Sequence, residues 1–425
     1  MAQRGIREYD GKKMLARYWT DYISKDFKFP GKIVLVDPNT KLDDLPKKYK
    51  WLKDTKLVVK PDQLFGKRGK HGLIKANATF PEAKKWIKER MNKETKVGKV
   101  TGILTHFIIE PFVPHKGEYY VAIKSNRDGD TIYFSNHGGV DIESVWKTVS
   151  EIQIPVEGDI NKINIESKLP KDTPKDKKKM FTEFIKGLFT FYRELGYAYL
   201  EINPFVVSGK NIVPLDLVAR IDDTAHFECS TKWGDLPFPA PFGRKLSPEE
   251  KHIKEMDEKS GASLKLTVLN PKGRVWTMVA GGGGSVIYTD TIVDLGYRDE
   301  LANYGEYSGN PTKDQTYEYA KTILDLMTRE KDPKGRSKFL LVGGGIANFT
   351  DVAKTFAGIT MALRDYKKKL KETKVKIYVR RGGPNYQEGL KIMRELGEEL
   401  GIPIEVYGPE THMTRIVNMA LEGKH

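Results

Sequence analysis

The sequence predicts an α/β protein whose carboxyl-terminal part carries a parallel sheet, and three stretches make that prediction. Residues 275–296, VWTMVAGGGGSVIYTDTIVDLG, run from an apolar strand through Gly281, Gly282, Gly283 and Gly284 into a segment whose apolar positions fit helical spacing. Residues 338–355, KFLLVGGGIANFTDVAKT, repeat the pattern around 343–345. Residues 376–393, KIYVRRGGPNYQEGLKIM, repeat it around Arg380, Arg381, Gly382 and Gly383, with Pro384 near the first helical position. A strand that turns through glycine into a helix gathers free backbone N–H groups and the positive end of a helix dipole at one spot. Glycine leaves room there for a phosphate or carboxylate to reach the backbone. Packed elements use such turns for purely structural reasons too. Three in one segment put the loops on one edge of a sheet, where open α/β folds bind ligands. Asn348 and Thr350 supply donors and Arg380 and Arg381 fixed charge, so the edge reads as an anion site.

Composition narrows the class. A chain of 425 residues has room for two or three domains. Its apolar runs are far too short to span a bilayer, and the start, MAQRGIREYDGKK, shows no signal peptide. The single cysteine, Cys229, excludes an internal disulfide and a cysteine metal cluster, and fits a reducing cytoplasm. The net charge of +15 comes from scattered lysines and runs such as 171–179, KDTPKDKKK, with no recognition helix or zinc-finger spacing. The surplus favours anionic small molecules or an acidic partner over nucleic acid.

Taken in order, 6–23 reads as a helix with Met14, Leu15, Tyr18 and Ile23 on one side. A short buried strand, 56–60, ends in Lys60 and leads to a basic glycine loop, 66–72, GKRGKHG. Such a loop suits phosphate, although a solvated turn has the same composition and the spacing is not that of a P-loop. Residues 81–91 read as a helix and 102–112, GILTHFIIEPF, as one apolar strand. Residues 118–125 and TIYFSN, joined across 127–130, form a hairpin. A helix over 179–195 precedes two strands, 197–207 and 211–221, joined across Ser208 and Gly209.

That pair holds the sharpest polar set in the first half. Glu201 and Asn203 share a strand face, and Asp216 is expected on the partner strand within cross-strand reach. Such groups amid Leu, Ile and Val are costly to bury unless they bind something, and oxygen ligands of this kind suit Mg²⁺. The solvated face of an edge hairpin is the other reading. Beyond it, 232–260 holds a proline cluster without periodicity and reads as a linker, so that 1–231 and 261–425 are the expected domains. Residues 302–311, ANYGEYSGNP, are expected to loop back over the glycine turns, and 404–407 with 411–421 to complete the sheet.

The strings KPDQLFGKRGK, IIEPFVPH, YLEINPFVV, GASLKLTVLNPKGRVWTMVAGGGGS, NYGEYSG, GGGIANFTDVA and VRRGGPNYQEG closely resemble the amino-terminal part of the ATP-citrate lyase family, which is related to the β subunit of succinyl-CoA synthetase. The resemblance covers essentially the whole chain. It implies an ATP-grasp domain over 1–231, the proline-rich linker 232–260, and a flavodoxin-like, citrate-binding CoA-ligase domain over 261–425. It further implies that Val58, Lys60, Arg68 and Gly69 contact the nucleotide, Glu110, Pro111, Phe112 and Val113 form the adenine hinge, and Glu118 meets the ribose. Asn203 and Asp216 match the magnesium ligands. Ser308, Gly309, Asn348, Phe349, Thr350 and Arg381 match the citrate contacts, and the Gly281, Gly282, Gly283, Gly284 turn the helix end that receives a phosphohistidine.

Fused family members continue into a CoA-binding domain, a phosphorylated histidine and a citrate-synthase-like module. This sequence ends at His425 without them, and none of its eight histidines lies in a phosphohistidine segment; His412 reads as structural. The expectation is one chain of a split ATP-dependent citrate ligase/lyase, with ATP and Mg²⁺ as cofactors, no catalytic nucleophile of its own, and a larger partner that binds coenzyme A. Membrane and nucleic acid are not expected partners. A citryl-CoA synthetase subunit, a succinyl-CoA synthetase β subunit and a non-enzymatic ATP-grasp scaffold remain as alternatives.

Overall fold

The computed structural model describes residues 3–139 and 146–423 and divides into two units, Met1–Lys245 and Leu246–His425. In the first, strand β1 (Gln3–Ile6) leads into the helix Glu8–Arg17, and a π turn, Trp19–Ile23, follows. The expected helix 6–23 is thus three elements. A four-stranded sheet comprises β2 (Val34–Val36), β3 (Leu57–Pro61), β4 (Lys75–Ala78) and, after the two-stranded ribbon β5 (Glu94–Val97) and β6 (Val100–Ile103), β7 (Phe107–Pro111), in the order β2-β7-β3-β4. The expected single strand 102–112 is therefore split between β6 and β7, which pair with different neighbours. The helix Phe80–Arg90, opened by a Thr79/Glu82 capping box, covers this sheet with Ala83, Trp86 and Ile87.

The larger sheet uses β8 (Tyr119–Asn126), β9 (Gly129–Ser135), β10 (Ser150–Pro155), β11 (Tyr197–Ser208), β12 (Asn211–Pro214) and β13 (Leu217–Asp222). Its order is β1-β13-β11-β8-β9-β10, with β12 on the end of β11. The helix Lys175–Glu194 packs Phe181, Phe184, Phe189 and Phe191 against Val121, Ile123, Phe134, Leu200 and Ile202. These residues alternate along their strands, as period two requires of one buried face.

The second unit begins earlier than expected. Within 232–260, Phe242 packs with Phe65 in the first unit, and Pro248–Glu258 is a helix of the second unit with a Ser247/Glu250 capping box. The signal S-P-E-E was present in the sequence, but the prolines before it dominate the window. The sheet that follows contains β14 (Ser263–Val268), β15 (Val275–Ala280), β16 (Asn303–Ser308), β17 (Lys338–Gly344), β18 (Val375–Arg380) and β19 (Ile404–Tyr407), in the order β14-β16-β15-β17-β18-β19. All pairs are parallel except β14 with β16. Without its antiparallel edge strand the sheet has flavodoxin-like order, and the chain reverses its winding between β15 and β17. The helices Lys313–Thr328, Val352–Asp365 and Tyr386–Leu400 cover one face, and Gly282–Asp294 and Arg415–Glu422 the other. Among the described residues no helix is long and apolar enough to cross a membrane.

Candidate functional site

The polar groups of the first unit converge where its two sheets meet. Lys60 lies on β3, opposite Ile108 of β7, and is 3 % exposed. Its Nζ donates to Glu8 Oε1 at 2.7 Å and to the carbonyl of Leu215. Glu8 opens the helix Glu8–Arg17, where Asp62 accepts the first two backbone N–H groups, from Glu8 at 2.9 Å and Tyr9 at 3.0 Å. Lys12, one turn on, reaches Glu8 Oε1 at 2.7 Å and both oxygens of Glu110 at 2.7 and 3.0 Å. Arg68 turns inward from a basic loop whose other residues, from Gly66 to Gly72, are exposed. It donates to the Pro61 carbonyl at 2.9 Å, meets Glu8 Oε2 at 2.7 Å and pairs with the carboxylate of Asp216. Three cations, Lys12, Lys60 and Arg68, thus face three carboxylates, Glu8, Glu110 and Asp216. Burial pushes Glu8 up, but Lys12, Lys60 and Arg68 beside it hold its carboxyl well below the usual carboxylate range. Burial and the Glu8 charge push Asp62 up to about 7.

The expected nucleotide residues therefore come together in part. Val58, Lys60, Arg68 and Glu110 lie on or beside β3 and β7, with Val58 opposite Glu110. The Glu110 carboxylate faces Lys12, so only its backbone is left for a nucleobase. Gly69 starts an exposed turn, Pro111 ends β7, and the N–H of Phe112 is bonded to the Lys56 carbonyl at 2.7 Å. His115 bridges the Val113 carbonyl, 2.7 Å from Nδ1, and Glu118 Oε1, 3.0 Å from Nε2, closing the segment after the hinge.

Asp216 is not on a partner strand as expected. It stands in a break between β12 and β13, opposite Asn203 and Pro204. Pro204 and Pro214 have no N–H for the ladder, so pairing lapses there. The two residues meet through backbone, Asn203 N to the Asp216 carbonyl at 3.1 Å. Asn203 Oδ1 accepts from Gly139 N at 2.7 Å, and Tyr199 donates to Glu201 at 2.5 Å. Among the described residues no group of three or more His, Cys, Asp or Glu could hold a metal. One carboxylate, about a third exposed, beside one amide oxygen still fits Mg²⁺, which takes few protein ligands and completes its shell with phosphate and water.

In the second unit the candidate residues stand at the carboxyl ends of the parallel strands, around the reversal point. Of the four glycines only Gly281, at φ +96°, forms the turn after β15. Gly282, Gly283 and Gly284 are the first residues of the helix Gly282–Asp294, so the expected turn is tighter than its glycine run. A side chain at 282 would stand 2.9 Å from Glu306 Oε2, and one at 284 would reach the backbone of Gly344. Residues 303–308, expected as a covering loop, form β16 inside the sheet. Asn303, Gly305 and Tyr307 are buried and alternate with half-buried Tyr304, Glu306 and Ser308, a period-two pattern that polar and glycine residues hide from sequence.

The loops after β17 and β18 are stitched together. Ala347 N donates to the Gly382 carbonyl at 3.0 Å, Val352 N to Pro384 at 3.0 Å, and Asn385 to Asp351 at 2.8 Å. This carries Asn348 and Phe349, both exposed, and buried Thr350 to the same edge as Arg381, Ser308 and Gly309. The two arginines differ. Arg380 is spent on the carbonyls of Thr411, Gly344 and Pro409. Arg381, 4 % exposed, donates only to Gly345 at 2.7 Å, its Nε has no partner, and no carboxylate pairs with it among the described residues. Burial pushes its guanidinium below the ordinary arginine value, Tyr307 and Tyr288 oppose this, and the Arg380 charge adds to it. Arginine keeps its proton in proteins, so an anion is what relieves the cost. The buried hydroxyl of Tyr307 is likewise unpartnered.

Glu8, Lys12 and Tyr288 carry no motif. Glu8 and Lys12 read as an ordinary solvated i,i+4 pair, and only their place on the stripe that includes Leu15 points inward.

Two family models match the chain: the ATP-citrate synthase ATP-grasp domain over residues 2–233 and ATP citrate lyase citrate-binding over residues 244–423. ATP-citrate synthase of Bos taurus is 53 % identical over 99 % of the chain, which spans only 38 % of that relative's length. ATP-citrate synthase alpha chain protein 1 of Arabidopsis thaliana is 48 % identical, with 99 % of each chain covered. A solved structure of ATP citrate lyase from Methanothrix soehngenii, in complex with citrate and coenzyme A, superposes with a TM-score of 0.89 at 57 % identity, over 99 % of this chain and 100 % of that one.

Proposed function

Because the chain belongs to the ATP-citrate synthase family, we propose that it is the nucleotide- and citrate-binding subunit of a two-chain ATP-citrate synthase. The observation that carries the reading is Arg381, a buried guanidinium without an anion at the winding reversal of a sheet whose family model is citrate-binding. A tricarboxylate supplies that anion, with Thr350, Asn348 and the N–H groups after Gly281 as further donors.

In the first unit Lys60 and Arg68 hold the phosphates of ATP, with Val58, Gly69, the 110–113 backbone and Glu118 placing the nucleoside. Asn203 and Asp216 would hold Mg²⁺, which would supply charge neutralisation at the phosphates. The γ-phosphoryl group leaves ADP for a histidine of the partner. In the second unit a citrate carboxylate displaces that histidine from phosphorus, giving citryl phosphate, with the Gly281–Gly284 helix end facing the phosphoryl group. The thiol of coenzyme A, bound mainly by the partner, expels inorganic phosphate to give citryl-CoA, and cleavage yields acetyl-CoA and oxaloacetate. The chain contributes positioning and charge, not a nucleophile. The setting is cytoplasmic.

Calorimetry on the full chain should show binding of both Mg·ATP and citrate, and mixing with the larger partner should give acetyl-CoA formation that requires ATP, citrate and coenzyme A. Binding of succinate in place of citrate, or activity of the partner without this chain, would overturn the reading.

A further inference from the structure

We propose that Glu8 is a positioning residue of the nucleotide site, acting through Lys60 and Arg68, with Lys12 as the counter-charge that lets it stay ionised. The inference rests on the reading that the first unit binds the phosphates of ATP. Glu8 is an anion with no donor for a phosphate oxygen, and the Lys12 ammonium is spent on Glu8, Glu110 and the Leu215 carbonyl, so both act through Lys60 and Arg68. Among the described residues Glu8 is the one carboxylate that meets all three cations: Lys12 and Lys60 at Oε1, each at 2.7 Å, and Arg68 at Oε2, at 2.7 Å. Its backbone is fixed by Asp62, two residues beyond Lys60, so one short stretch of chain anchors both the cation and its partner.

What Glu8 leaves free matters as much as what it holds. Arg68 Nε has no partner, and Lys60 has two close acceptors for three protons. Each cation is thus fixed in place with one donor not committed to the protein. Arg68 also has an anchor apart from Asp216, the carboxylate that would hold the metal. Glu8 is that anchor. Replacing the carboxylate with an amide removes the shared negative charge and sets an NH₂ donor against either the two lysines at Oε1 or Arg68 at Oε2. Lys60 then keeps only Glu110, 3.6 Å away, as a counter-charge, and Arg68 only Asp216, so the two cations are held less firmly.

The test compares Mg·ATP with AMP, which lacks the two outer phosphates. In Glu8→Gln, calorimetry on the full chain should show Mg·ATP affinity falling by about ten- to a hundredfold, the loss of one charge-assisted contact or more, with AMP affinity unchanged within about twofold. A general disturbance of the fold would weaken both nucleotides alike. Should Glu8→Gln not fold, Glu8→Gln/Lys12→Met removes one charge of each sign and should fold while showing the same selective loss. Equal loss of ATP and AMP, or no loss, in either folded variant overturns the proposal. Failure of the unaltered chain to bind Mg·ATP at all would instead overturn the reading beneath it.

Discussion

Arg68 and Asp216, 148 residues apart, form an ion pair, and the same guanidinium nitrogen lies 2.7 Å from Glu8 Oε2. The carboxylate expected to hold magnesium is thus shared with a cation expected to hold phosphate. Asp216→Ala should abolish transfer of label from γ-labelled Mg·ATP to the partner's histidine. Citrate binding in the second unit should stay within about twofold, since no charged contact there is lost. Normal phosphohistidine formation in that variant would remove Asp216 from the metal site.

Arg381→Lys should lower citrate affinity by roughly ten- to a hundredfold, about 1–3 kcal/mol. Lysine keeps the charge but not the planar fork, and the bond to Gly345 that sets the loop is lost with it. Calorimetry with citrate and with a nucleotide analogue separates the effects, because nucleotide binding should not change.

Gly344 and Gly345 make a paired test of the same site. A Cβ on Gly344, at φ +151°, would stand 2.7 Å from Arg381 Nη1, whereas one on Gly345 meets nothing within 4 Å. Gly344→Ala should therefore weaken citrate markedly and Gly345→Ala far less. Equal affinities in the two variants would dissociate Arg381 from citrate binding.

The pH dependence of stability has a definite sign. Burial pushes Asp62 up to about 7, with Glu8 adding, and Asp10 up to about 6. Both values lie above the unfolded value of about 3.9, so their contribution is fully present below that value and is lost as pH rises through 6 and 7. Glu8, held below its ordinary value, contributes above the unfolded carboxylate range and loses that only in acid. Between about pH 4 and the folded value, about 6 for Asp10 and about 7 for Asp62, each should tilt stability downward by up to about 1.4 kcal/mol per pH unit, with no further slope from it above that value. Asp62→Asn should flatten the calorimetric profile relative to the unaltered chain; an unchanged slope would sink the assignment.

Much of this was legible without coordinates because short-range rules set it. The strands after which Gly281, Gly345 and Gly382 occur, and the helices that follow, are set by apolar spacing within a single window, although β17 runs through Gly343 and Gly344 where the sequence placed the turn. Proline and polar residues misled where they masked those periods, as at β16 and at the helix Pro248–Glu258.

The sequence by itself determined the parallel sheet, the edge on which its loops gather and the residue types suited to an anion, since these follow from backbone geometry and local apolar spacing. Only the tertiary structure decided that Arg380 is consumed by carbonyls while Arg381 is left without an anion. It alone brought Glu8, Lys60, Arg68, Glu110 and Asp216 into one charge network. The physical reason is that a buried charge is defined by its partners, and here those partners arrive from strands and loops about 50 to 200 residues apart, a separation no local pattern encodes.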